Sequence, residues 1–300
     1  MDRIQEMTLF AAVAEQSSLA AAARRVGLST ATVTRAVAQL ESRLGVLLVV
    51  RSTRGMRLTE AGERFAVDCR RLLADIDAVE SAAAGVHAAP SGLLTVTAPQ
   101  AFGALHVTPL LIRFLDAQPG IEIRALLLDR VVPMLEEGVD VAIRIGALPD
   151  SSLTAIPVGT LRRMVCASPA YLAARGTPVH PDQLRQHATI TTSAADRARK
   201  WQFRIDGRAH AVDAGSRLSV TSYHAAVSAA LHDGGLIQVP SYQVRMPLQQ
   251  GHLACVLEEF EIAPEPVHVV YPEGRQGSAK VRAFVAFCVD ALRDELRVGY

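Results

Sequence analysis

Lysine is almost missing from this chain: Lys200 and Lys280 are the only two among 31 basic residues, and the rest are arginine. Against 30 acidic residues the net charge is +1, so no global charge marks a nucleic-acid, membrane or acidic partner, and any such signal has to be local. Cysteine is scarce as well. Cys69, Cys166, Cys255 and Cys288 lie far apart with no C-x-x-C and no paired zinc-ligand pattern, which excludes a disulfide scaffold and predicts reduced, inert thiols without a structural metal. There is no long uninterrupted hydrophobic run. The stretch 81–112 lacks Asp, Glu, Lys and Arg, but Pro90, Pro99, Pro109, Gly85, Gly92 and Gly103 break it, so no membrane span is expected. Residues 1–15 already carry Asp2, Glu6 and Glu15 and do not read as a secretory signal, which makes the cytoplasm the expected location. G-x-S-x-G, the P-loop, H-E-x-x-H and a G-x-G-x-x-G after a strand are all absent, and the histidines are scattered, so neither catalytic nor cofactor-binding residues are assigned.

What remains is an ordinary globular composition, 50% hydrophobic, 20% charged and 5% aromatic, in 300 residues, enough for about two domains. One local charge signal stands out. Between Ala21 and Thr59 seven arginines face Glu41 alone, a local charge of +6. The same block predicts two short helices. Ser18 is placed to cap Leu19 to Val26, Gly27 and Leu28 turn the chain, and Ser29 caps Thr30 to Arg43. A helix, a tight glycine turn and a second helix is a DNA-binding arrangement, although any packed helix pair can imitate it. Val33, Val37, Leu40 and Leu44 must face inward, which leaves Thr30, Ala31, Thr34 and Arg35 outward: small or basic side chains that let a helix enter a major groove. Arg51, Thr53, Arg54 and Arg57 then suit a wing that grips the phosphate backbone. General arginine usage is the bland alternative for these charges.

Beyond Glu60 the period changes. Phe65, Cys69, Leu72, Ile76, Val79, Ala83 and Val86 step by 4 and 3, an a/d seam on one helix about 40 Å long at about 1.5 Å per residue, which needs either a partner helix or its own core. From Gly92 on, apolar β-branched runs alternate with helix-length stretches and predict a mainly parallel sheet. The runs 93–98, 121–128, 139–145 and 267–271 enclose a second set at 164–167, 189–192, 218–221 and 236–239. Two α/β subdomains with two chain crossings follow, near Gly159 to Arg163 and Ala263 to Val267.

The run FAAVAEQSSLAAAARRVGLSTATVTRAVAQLESRLGVLLVVRSTRGMRLTEAGERF resembles the N-terminal winged helix-turn-helix of LysR-type transcriptional regulators. Ala22-Ala23, Leu28-Ser29, Val33-Thr34-Arg35, Leu40-Glu41, Arg51-Ser52-Thr53-Arg54 and Leu58-Thr59-Glu60-Ala61-Gly62 carry the likeness, and DVAIRIG, CASPAYLAARGTP, VPSYQV and KVRAFVAF extend it over the whole chain. Thr30 stands where the family often has Gln, Leu47, Val49 and Val50 make an unusually apolar lead into the wing, and HDGGLIQVP departs from the usual Ala-Gly-Leu-Gly run.

The resemblance implies an α+β multidomain protein: a winged helix-turn-helix at 1–59, a linker or dimerisation helix at 60–89, and at 90–300 a periplasmic-binding-protein-like α/β domain. Its subdomain I would span about 90–161 and 267–300, and subdomain II about 162–266. The implied partners are double-stranded DNA, a second copy of the chain in a dimer or tetramer, RNA polymerase, and a small effector, with an organic anion as the candidate class. Ser18, Ser29, Thr30, Ala31, Thr34, Arg35, Arg51, Thr53 and Arg54 are the expected DNA contacts, and Phe65, Leu72, Ile76 and Val79 the dimer seam.

For the effector, Pro99, Gln100, Ala101 and Phe102 open a helix at a strand end, where an anion is favoured. Thr191, Thr192, Ser222 and Tyr223 face them from the other subdomain as carboxylate donors or simple caps, Arg144 stands as an anion partner or a structural bridge, and Trp201 and Phe203 as core or a stacking surface. An effector-independent oligomerising repressor is the alternative, with a plain ligand-binding or enzymatic α/β protein the more distant rival.

Overall fold

The computed structural model describes residues 1–52, 55–83, 89–148, 153–192, 200–273 and 278–297. Thr53 and Arg54, two of the expected wing contacts, lie outside them. The headpiece is built from α1 (Arg3–Ala14), α2 (Leu19–Arg25), α3 (Thr30–Leu44), the antiparallel pair β1 (Val49–Ser52) and β2 (Gly55–Leu58), and α4 (Glu60–Ala83). Ser18 and Ser29 are the N-caps of α2 and α3: their hydroxyls accept from Ala21 N at 3.2 Å and Thr32 N at 3.1 Å, satisfying first-turn amides that would otherwise lack a partner. Gly27, at φ 68°, makes the left-handed turn between the two helices. Phe10, Val13, Ala22, Val33, Val37, Leu40 and Leu48 close one apolar core beneath them.

The long helix shares that core at its start. Phe65 packs against Phe10 with ring centroids 5.4 Å apart and Cys69 is buried beside it, so the first turns of the seam cover the chain's own headpiece and not a partner. Further along, Leu72 is 41% and Val79 70% exposed, with Ile76 half-buried. The even a/d spacing therefore divides into an inward half and a bare half. Ala83 and Val86 are not among the described side chains.

Downstream stand two five-stranded sheets. The first has the order β4-β3-β5-β14-β6, with β3 (Gly92–Ala98), β4 (Ile121–Leu127), β5 (Val141–Ile145), β6 (Leu153–Leu161) and, much later in the chain, β14 (Glu265–Pro272). After β3 the chain runs through α5 (Gln100–Phe102), a π turn (Gly103–Val107) and α6 (Thr108–Ala117). The second sheet has the order β11-β8-β12-β7-β13: β7 (Arg163–Ala167), β8 (Thr189–Thr192), β11 (Leu218–Val220), β12 (Leu236–Pro240) and β13 (Ala254–Val256). It carries α7 (Pro169–Arg175), α8 (Tyr223–Leu231) and α9 (Arg245–Gln249), and a hairpin of β9 (Lys200–Ile205) and β10 (Arg208–Asp213) stands beside it. The last helix, α10 (Ala279–Arg297), returns to the first core through Phe284, Cys288 and Leu292.

The expectation of mainly parallel sheets needs correction. β3 pairs in parallel with β4 and β5, but β14 runs antiparallel to both β5 and β6. In the second sheet β8 is parallel to β11 and β12, while β7 is antiparallel to β12 and β13. Direction here is set by where the chain re-enters each lobe, which the apolar runs do not encode. The chain crosses at Arg162, between β6 and β7, and again between β13 and β14. Headpiece and first lobe also touch: Glu15 accepts from Arg25 Nη2 at 3.1 Å and from Arg124 Nη1 of β4 at 2.8 Å.

Candidate DNA-reading helix and effector cavity

The outward face of α3 is as the period requires. Thr30, Ala31 and Arg35 are exposed and Thr34 is half-buried, while Val33, Ala36, Val37 and Leu40 go to the core; Leu44, expected inward, is 37% exposed because the helix ends there at Gly45, beyond the edge of that core. Of the seven arginines of the basic block, the side chains of Arg51 and Arg54 lie outside the described ones, and the other five divide into two groups. Arg43 is held by Glu6 at 2.7 Å and Arg25 by Glu15 at 3.1 Å, so both guanidinium groups are engaged in surface ion pairs within the headpiece. Arg24, Arg35 and Arg57 are exposed and make no ion pair among the described residues, which leaves Arg35 as the free guanidinium on the helix face. Ser18 and Ser29 sit at helix starts with their hydroxyls already engaged as caps. The apolar lead into the wing is half core: Leu48 and Val49 are buried, while Leu47 is 63% and Val50 51% exposed.

Glu41, the lone acid of the basic block, has a structural role. Its Oε1 accepts from Leu48 N at 2.8 Å and Val49 N at 2.9 Å, clamping the end of α3 to the first wing strand. Charge-assisted bonds of this kind contribute about 1.5–3 kcal/mol each. Glu41→Ala is therefore expected to lower headpiece stability by about 2–3 kcal/mol. Glu41→Gln, which keeps an acceptor, should lose about half as much in urea unfolding followed by circular dichroism. Equal losses for the two would show that a neutral acceptor contributes nothing there, and no loss in Glu41→Gln would show that the carboxylate charge is idle.

Between the lobes lies a cavity of about 410 Å³, large enough for a small organic molecule. One wall is the end of β5, Ile145 to Ala147, with Ile262 and Glu265 near the second crossing; the other is Ile190 and Thr192 of β8, Lys200, Trp201 and Gln202 of β9, Tyr223 and Gln238. At its floor Arg163 Nη2 donates to Glu265 Oε2 at 3.1 Å, and its Nη1 donates to the Tyr223 hydroxyl at 3.4 Å. Burial works against the Arg163 charge, but Tyr223 and Glu265 outweigh it and its pKa is raised. Next to it, Arg162 donates to Glu261 and Glu258, so both crossing segments are tied by ion pairs.

Of the expected effector residues, only Thr192 and Tyr223 reach this wall. Phe102 is fully buried in the first core, stacked near His106 and Tyr242. Pro99 and Ala101 are half-buried beside it, and the Gln100 amide, read as an anion donor, already donates to Asp129 Oδ1 at 2.9 Å. Arg144 leaves β5 on the side of Ala142, where its Nη2 donates to Val132 O at 2.7 Å; its neighbour Ile145 takes the cavity side. Burial lowers the Arg144 pKa. Thr191 is buried in β8, and Ser222 caps α8 by accepting from Ala225 N. Trp201 is both core and wall, whereas Phe203 is core alone. Sequence reading missed Arg163, Lys200, Gln202, Gln238 and Glu265; a glutamine in the apolar strand run LIQVP was the one local hint.

The comparisons with known proteins agree with this organisation. Residues 4–63 match the profile of the bacterial regulatory helix-turn-helix protein, lysR family, and residues 87–293 that of the LysR substrate binding domain. An HTH-type transcriptional regulator of Xanthomonas campestris is 34% identical over 96% of this chain and 85% of its own length, and the E. coli regulator YhjC is 32% identical over 99% and 100%. Among solved structures, the full-length Vibrio cholerae virulence activator AphB superposes with a TM-score of 0.62 at 27% identity, over 96% of this chain and 99% of that one. CrgA of Neisseria meningitidis, a LysR-type transcriptional regulator, gives 0.62 at 28%, over 96% and 98%. These relatives are regulators and not enzymes. Among the described residues no helix is long and apolar enough to cross a membrane. With both of its parts matched across nearly the full length, the chain belongs to the LysR family of transcriptional regulators.

Proposed function

We propose that this regulator binds inverted-repeat promoter sites as a dimer or tetramer and answers to a small organic effector held between its two lobes. The free face of α3 supports the first part: Arg35 stands exposed and makes no ion pair among the described residues, while Arg25 and Arg43 are engaged in surface ion pairs with Glu15 and Glu6. Thr30, Ala31 and Thr34 complete a narrow surface that fits a major groove, with Arg51, Thr53 and Arg54 of the wing on the backbone. The bare half of α4, Leu72 to Val79, supports pairing of two chains, and a twofold pair reads a twofold site. An effector that favours one lobe arrangement shifts the relative placement of the two reading helices, and with it DNA bending and access for RNA polymerase.

Gel-shift titration against fragments of the source genome tests the reading. Arg35→Ala should cost about 1–3 kcal/mol on the preferred fragment and relax base preference, while Arg54→Ala should weaken all sequences alike and flatten the salt dependence. Identical behaviour on preferred and random DNA contradicts the assignment. In parallel, a panel of small organic acids should contain at least one that raises the melting temperature; a silent panel favours the effector-independent repressor.

A further inference from the structure

Cys166 and Cys255, distant in sequence, face each other in the second sheet: β7 and β13 pair antiparallel with these two residues in register. Residues so opposed have Cα atoms about 4.5–5.5 Å apart and side chains on one face, inside the range that a disulfide spans. Both thiols belong to the layer of Met164, Val227 and Ile237, while their neighbours Val165 and Val256 turn to the opposite core. While both thiols are free, hydrogen bonding with the Cys255 thiol, followed by burial, pushes the Cys166 thiol up from its ordinary value. The two differ in access. Cys166 is fully buried, but Cys255 is partly exposed because β13 is the sheet's edge strand, and a hollow of about 280 Å³ bordered by Pro178, Val179 and Leu257 opens onto it. Cys69 and Cys288 sit buried in two other cores.

We propose that Cys166 and Cys255 are a reversible dithiol–disulfide pair, oxidised by a low-molecular-weight disulfide that reacts first at Cys255. The Cys255 thiolate attacks one sulfur of the reagent and displaces one thiolate, leaving a mixed disulfide at the edge strand. Cys166, giving up its proton, then attacks Cys255 Sγ and displaces the second thiolate. Two electrons pass from the protein sulfurs to the reagent, the two thiol protons end on the two released thiols, and one internal S–S bond remains. Access fixes the order, since only Cys255 meets solvent. β7 begins at Arg163 on the cavity floor, so the link forms within the strand that carries the cavity's arginine.

The full chain, incubated with oxidised glutathione, then alkylated and digested without reduction, provides the test. The expected result is one crosslinked peptide pair containing Cys166 and Cys255, two hydrogens lighter than the free peptides and released by dithiothreitol, with Cys69 and Cys288 still alkylatable after unfolding. Glutathione that stays on Cys255 with no internal link, chains joined to one another, or four unchanged thiols would each overturn the proposal. Cys166→Ala should trap the glutathione adduct on Cys255. Should that core variant fail to fold, Cys255→Ser on the edge strand decides: Cys166 must then stay reduced, and its oxidation at the original rate counts against the pair.

Discussion

Gly62→Ala is expected to unfold the headpiece at temperatures where the native chain is stable, with a cost of about 3 kcal/mol or more. The glycine lies inside α4, where alanine would ordinarily gain up to about 1 kcal/mol. Sterics reverse the sign. A Cβ at this position would stand 2.1 Å from Leu48 O and 2.9 Å from Leu48 C, both backbone atoms of the segment leading into the wing. That segment cannot give way cheaply, because Thr59 holds it from the other side: Thr59 N donates to Leu48 O at 3.0 Å and Thr59 Oγ1 donates to Leu47 O at 2.7 Å. Thr59 Oγ1 also accepts from Gly62 N at 3.0 Å, starting the helix. The run Leu58-Thr59-Glu60-Ala61-Gly62 thus has a physical content: a cap and a missing side chain that let the long helix lie directly on the wing strand. Gly27→Ala is the control, since its φ of +68° is strained but nothing lies within 4 Å, and it should cost only about 1–2 kcal/mol. Calorimetric unfolding and DNA retention measured together check both, and a milder effect at Gly62 than at Gly27 would refute the steric account.

What the sequence made legible was local. The caps at Ser18 and Ser29, the turn at Gly27 and the inward face of α3 depend on residues within a few positions of one another, and each is found where the pattern put it except Leu44, which the last turn of α3 leaves 37% exposed. The α4 seam was visible as a period, but period alone cannot say what covers it, and Phe65 and Cys69 turned to the headpiece core. The cavity was least legible because its wall is drawn from segments that only the two crossings bring together. Arg144 shows how one residue of strand parity decides the matter: it and Ile145 are neighbours, yet only Ile145 faces the space between the lobes. The same holds for Cys166 and Cys255, whose opposition is a property of the sheet order and not of spacing.

Arg163→Met should cost the regulatory domain about 2 kcal/mol, short of the 3–5 kcal/mol of a fully desolvated pair because Arg163 and Glu265 keep 21% and 24% of their side-chain exposure. For a domain of this size that corresponds to a melting temperature lower by about 4–8 °C. The variant preserves the aliphatic length but leaves the Glu265 carboxylate facing the cavity without its cation, so much of the cost comes from the orphaned charge and not from the lost attraction. Adding Glu265→Gln should therefore recover about half of the loss, a coupling that a double-mutant cycle reads directly. The position matters because each partner is the first residue of a strand at a chain crossing, Arg163 opening β7 and Glu265 opening β14. If the two costs simply add, the pair does not hold the lobes together, and the cavity floor is set by the crossing backbone and by the neighbouring Arg162 pairs with Glu258 and Glu261.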